Sequence, residues 1–113
     1  NYVGASGTFN AGAAVFVAPL NTASSTYFEF TVTPQAGFDV SLTGLSFGSR
    51  STNTGPQAYT LLSSVDGFTN PVATGTFVNN SIWVLHNPTL LINPTSNAPI
   101  VFRLYGHSGA GVL

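Results

Sequence analysis

The chain has no cysteine, no methionine and no lysine, and only five of its 113 residues, two basic and three acidic, carry a formal charge at pH 7. Each absence excludes something. Without cysteine there is no disulfide, no thiolate zinc site and no cysteine nucleophile. Without lysine there is no internal Lys–Asn isopeptide crosslink, a device of some surface adhesins. The bases are Arg50 and Arg103, the acids Glu29, Asp39 and Asp66, and the net charge is -1. Such a chain offers no phosphate-neutralising surface, so nucleic acid is excluded as a partner. No polybasic segment is present to hold an anionic membrane. The charged fraction is 4 %, against about 25 % in ordinary globular proteins. Long apolar runs are missing as well. Residues 67–102 carry no Asp, Glu, Lys or Arg, but Pro, Asn and Thr interrupt them throughout, so no membrane insertion is expected. No signal peptide is evident, and the start at Asn1 suggests a processed protein or an excised fragment.

What is present is an apolar fraction of 43 %, carried with Ser, Thr, Asn, Gly and Pro. That is enough for one folded domain over 1–113. The periodicity is that of strands. In TYFEFTVT (26–33), Phe28, Phe30 and Val32 point one way and Tyr27, Glu29 and Thr31 the other. PQAG (34–37) is a turn, its glycine suited to positive φ. From Phe38 the alternation runs through Val40 and Leu42, breaks at Thr43-Gly44 and resumes on shifted parity at Leu45 and Phe47, as a β-bulge would require. Further strands are expected over 13–18, 58–64, 89–92 and 99–105, with Ile100, Phe102 and Leu104 on one face. Residues 74–78 and 81–85 read as a hairpin about Asn79-Asn80, and Asp66-Gly67 as a tight turn. About eight short strands, punctuated every 8–12 residues, predict an all-β fold: an antiparallel two-sheet β-sandwich, jelly-roll-like.

Four stretches together carry a resemblance: YFEFTVTPQAGFDVSLTGLSF (27–47), RSTNTGPQAY (50–59), SSVDGF (63–68) and FRLYG (102–106). In this order and spacing the chain resembles secreted bacterial β-sandwich modules of large exported surface proteins that carry C-terminal sorting signals. The resemblance covers roughly residues 21–106. It implies a jelly-roll-like sandwich, an extracellular or cell-surface location and a structural or adhesive role, and it brings no catalytic residue. Such modules usually continue past the FRLYG-like strand into a closing strand with an acidic pair. Here GHSGAGVL follows instead, which implies either a shortened fragment or a last strand supplied by something else.

Candidate chemistry is sparse. Glu29 and Asp39 read as solvated carboxylates rather than as a glycosidase pair. His86 and His107 lack a Gly-x-Ser-x-Gly elbow and lack closely spaced acids, so neither a hydrolase nor a metal site is expected, and no cofactor. Arg103, mid-strand, is expected to form a structural ion pair across the sheet with Glu29 or with Asp39. Trp83, Tyr59, Tyr27 and Tyr105 are candidate ligand-binding residues, as an aromatic platform for sugar rings. Asn79-Asn80-Ser81 is a glycosylation triplet.

The functional expectation follows from the charge. Soluble β proteins guard their sheet edges with lysine and other charges, and this chain has almost none. It is expected to act as a non-enzymatic, extracellular self-associating module: a filament, surface-layer, matrix or adhesin subunit. Its partners would be copies of itself or adjacent sandwich domains, joined at sheet edges, with residues 1–18 as candidate donor strand. The alternative is a carbohydrate-binding module with glycan partners.

Overall fold

The computed structural model describes residues 2–3, 12–13, 19–93 and 97–109. Two two-residue strands, β1 (Tyr2–Val3) and β2 (Gly12–Ala13), pair with each other. The expected strand over 13–18 and the donor role of 1–18 fall largely outside the described residues. Eight longer strands follow: β3 (Tyr27–Val32), β4 (Leu42–Gly44), β5 (Phe47–Ser49), β6 (Ala58–Ser63), β7 (Ala73–Thr76), β8 (Val84–His86), β9 (Thr89–Ile92) and β10 (Ile100–His107). All pairings are antiparallel, and the described residues contain no α-helix, only a 3-10 turn at Ser64–Asp66. The chain is all-β, as its periodicity predicts.

The largest sheet has four strands in the order β3-β10-β6-β7. Its register puts Phe28, Phe30 and Val32 opposite Leu104, Phe102 and Ile100. These side chains share the inner face with Leu61, which is paired with Leu104. Tyr27, Glu29 and Thr31 face outward opposite Tyr105, Arg103 and Val101. The two faces of β3 are therefore those that its alternation predicts.

The remaining strands form one long ribbon. Leu42 pairs with Ile92, but Gly44 pairs with Thr89, a one-residue register shift at Thr43-Gly44. The bulge lies where the sequence parity breaks. Beyond it the register holds: Leu45 N–H donates to the Pro88 carbonyl at 3.2 Å, and Phe47, Gly48 and Ser49 face His86, Leu85 and Val84. Thus β4–β5 and β8–β9 are two interrupted halves of a single two-stranded ladder. The ribbon packs Leu42, Leu45, Leu90 and Ile92 against Leu61, Ile100, Phe102, Phe30 and Val32 of the sheet. Phe30 and Phe102 stack with centroids 5.1 Å apart. Burying a leucine or phenylalanine in this core contributes about 1.5–3 kcal/mol each.

One local expectation needs correction. Residues 74–78 and 81–85 do not form a hairpin, because β7 pairs with β6 and β8 with β5. The ring of Tyr59 occupies the space above its cross-strand partner Gly75, which ties β7 to β6. Ser81 N–H then donates to the Ser51 carbonyl at 2.9 Å, which leads the chain toward the ribbon. Asp66-Gly67 forms a tight turn, as read. It closes the 3-10 turn, with Gly67 at φ 72 as left-handed cap. The PQAG turn forms as read: Phe38 N–H donates to the Gln35 carbonyl at 3.0 Å, and Gly37 takes φ 84.

Candidate functional site

The outer face of the sheet holds the ion pair expected from the sequence. Arg103 and Glu29 are direct cross-strand partners, with Nε 2.9 Å from Oε2. The guanidinium lies between two rings, its Cζ 4.0 Å from the Phe68 centroid and 4.8 Å from that of Tyr27. The hydrogen bond to Glu29 is the main reason the arginine pKa is raised, against a smaller opposing effect of burial. Phe68 reaches Arg103 from a backbone at φ 60, a region that a phenylalanine rarely adopts. The loop over-determines that conformation. Phe68 N–H donates to the Ser63 carbonyl at 2.9 Å. The Asp66 carboxylate accepts the Thr69 and Asn70 backbone N–H groups at 3.1 and 2.8 Å, and those bonds, Asn70 first, lower its pKa.

Beside the pair, Tyr105 is fully buried, 5.1 Å from the Tyr27 ring. Its hydroxyl has no partner at hydrogen-bonding geometry, although its proximity helps to hold Arg103 charged. At the end of β10, His107 Nε2 lies 2.9 Å from Thr60 Oγ1, and its Nδ1 2.9 Å from Ser108 Oγ. Burial lowers its pKa.

Between sheet and ribbon lies a ring cluster. His86 stacks on Phe47 at 4.9 Å and takes the edges of Tyr59 and Phe77 at 5.4 and 5.6 Å. Its Nε2 lies 2.7 Å from Ser49 Oγ, and burial lowers its pKa, so the ring is neutral at pH 7. Ser and neutral His at this distance have the form of a nucleophile and base. Yet among the described residues no third group orients the imidazole, and no helix follows the serine to supply backbone donors. The pair gives a partner to Nε2 of a histidine packed among rings. Sequence reasoning missed it because Ser49 and His86 meet only through a register that no local motif encodes.

The ribbon's outward side is different. Here Trp83, Leu85 and Leu91 are 47, 66 and 85 % exposed. Ser46 and Asn87 hold each other across the two strands at 2.6 Å.

The four rings expected to form one platform do not. Tyr59 is 5 % exposed within the ring cluster, Tyr105 is buried on the opposite face of the sheet, and Tyr27 is covered in part by Arg103. Only Trp83 presents a large free surface away from that ion pair. Both buried tyrosines occupy strands whose two faces are covered, which alternation alone does not reveal. Asn79 is exposed, and its amide donates to Gln57 Oε1 at 3.0 Å. No group of three metal-ligating side chains occurs among the described residues, and no helix of theirs is long and apolar enough to cross a membrane.

No protein family, no curated protein and no solved structure matches this chain.

Proposed function

We propose that the chain is a structural, self-associating module of an extracellular or cell-surface protein, folded as a jelly-roll-like two-layer sandwich and assembling through open sheet edges. The observation that carries this reading is the width of the second layer. A ribbon two strands wide covers one face of a four-stranded sheet, and among the described residues no strand pairs with either long edge of that ribbon. Both edges are free of lysine, and the β8–β9 strand has no charged side chain at all. Unpaired N–H and C=O groups without flanking charge are templates for strand addition.

The motifs behind the bacterial-module resemblance support a structural role in another way. In FRLYG, Phe102 fills the core, Arg103 makes the ion pair, Tyr105 is buried, and Gly106 leaves room for Pro56, whose ring would lie 3.2 Å from an added Cβ. In SSVDGF, Ser63 is buried, Asp66 ties the loop and Phe68 covers Arg103. Every one of these residues is occupied by folding, and none is left for chemistry.

The test is sedimentation velocity with negative-stain microscopy over a hundredfold range of concentration. The wild-type chain is expected to form larger species as concentration rises. Leu85→Lys/Leu91→Lys, which places two cations on the edge strand without touching the core, is expected to remain monomeric. A wild-type chain that stays monomeric throughout refutes the proposal.

A further inference from the structure

The outward side of the ribbon carries a second feature at the end away from Leu91. The register places Gly48 opposite Leu85 and Ser49 opposite Val84. One rung further the register slips by one residue, because Ser81 N–H donates to the Ser51 carbonyl, so Arg50 faces the two-residue step Ile82-Trp83. Exposure alternates along both strands up to that rung: Phe47 and Ser49 are half-buried where Gly48 and Arg50 are exposed, and Val84 and His86 are half-buried where Trp83 and Leu85 are exposed. Arg50 and Trp83 therefore share the outward face. The indole is seated there by a glycine: its Cε3 lies 3.8 Å from where a Gly48 Cβ would stand. Trp83 is 47 % exposed.

Arg50 is the chain's other cation, and unlike Arg103 it has no carboxylate partner among the described residues. In a chain with five charges, an exposed arginine across the ribbon from the Ile82-Trp83 step puts positive charge on the face that carries the indole. No carboxylate stands near it in sequence, the nearest being Asp39 and Asp66.

We propose that Trp83 and Arg50 form a binding site for an anionic sugar, a pyranoside bearing a carboxylate or a sulfate. The indole face stacks on the apolar face of the ring, and the guanidinium takes the acid group through paired N–H donors. An open, shallow surface suits a residue within a long polysaccharide, whose chain runs past the site. This site is independent of self-association, which uses the ribbon's backbone edges.

The test is isothermal titration calorimetry with three oligosaccharides of matched length: a polyuronate, a sulfated glycan and a neutral glucan. Saturable binding is expected for at least one anionic probe, at least tenfold tighter than for the glucan, and the probe that binds identifies the acid group. Arg50→Gln is expected to abolish the preference for the anionic probe. Trp83→Phe is expected to retain binding and Trp83→Ala to lose it. Both sites are exposed, and an unchanged thermal midpoint would show that each variant is folded. Three results would overturn the proposal: no saturable binding to any probe, equal affinity for anionic and neutral probes, or an anionic preference that survives Arg50→Gln. Trp83→Ala that binds as the wild type does would overturn the stacking half and with it the site. The oligomeric state of each variant, read by sedimentation, separates this outcome from that of the edge-assembly test.

Discussion

Gly75→Ala is the sharpest probe of how the sheet is held in register. Gly75 has no positive φ, so alanine is conformationally permitted there. On backbone grounds alone the substitution should stabilise a strand by about 0.5–1 kcal/mol. The new methyl, however, would lie about 2.6 Å from Cζ and Oη of Tyr59, far inside contact distance. That ring cannot swing clear, because Phe47, Phe77 and His86 hold it with centroids 5.2, 5.4 and 5.4 Å away. Overpacking of this kind costs about 1–3 kcal/mol, which outweighs the backbone gain. A net loss of about 1–2 kcal/mol is expected, read as a lowered urea midpoint with unchanged m-value. The clash requires the ring, so the same substitution in a Tyr59→Leu background should cost less, and the difference is the coupling between the two sites. Gly48→Ala is the control: its methyl meets only Trp83 Cε3 at 3.8 Å, an ordinary contact, and the change should be neutral or slightly stabilising. A Gly75→Ala chain as stable as the wild type would show that Tyr59 does not lock β7 to β6.

Three further outcomes are expected. Leu61→Ala, at a fully buried core position, should lower unfolding free energy by about 2–5 kcal/mol in denaturant titration. Tyr105→Phe removes a buried hydroxyl without a partner and should leave stability unchanged or raise it by up to about 1 kcal/mol; a loss larger than that would mean the hydroxyl is bonded in solution. Burial lowers the pKa of His86 and His107 from 6.5, so the unfolded chain binds protons first. Stability should be full above about pH 6.5 and decline as pH falls from there toward the folded-state values. Urea midpoints between pH 8 and pH 5 read this, and the decline should shrink in His86→Gln. A second decline, from Asp66, belongs below pH 3.8.

Much of this architecture is legible in the sequence, and the reason differs from element to element. The alternation of Tyr27–Val32 fixes which side chains reach the core, because a strand has only two faces. The parity break at Thr43-Gly44 shows the bulge directly, since one extra residue must shift every later side chain. The Arg103–Glu29 pair follows from two charges on outward positions of strands in a chain with few other partners. What the sequence does not show is which strand lies beside which. Residues 74–78 and 81–85 have the local pattern of a hairpin, yet β7 pairs with β6, where the ring of Tyr59 lies over Gly75, while β8 pairs with β5. The fate of two tyrosines has the same origin: Tyr59 shares the inner face of β6 with Leu61 and meets rings of the ribbon, while Tyr105 is buried on the opposite face. The Ser49–His86 contact and the placing of Arg50 opposite the Ile82-Trp83 step likewise depend on a pairing between residues more than thirty positions apart.

The place of β10 bears on how this molecule comes into being. It fills the slot between β3 and β6, and those two strands have no other link across the sheet. A chain delivered N-terminus first, from a ribosome or through a narrow pore, has no central sheet until residues 100–107 have emerged. Until then its apolar faces have only the β6–β7 hairpin and an unsupported ribbon to cover them. Assembly of the sheet is deferred until β10 has been delivered, and because its pairings span so much of the sequence it should be slow, on a scale of milliseconds to seconds. That interval leaves the preceding strands extended and threadable until β10 arrives.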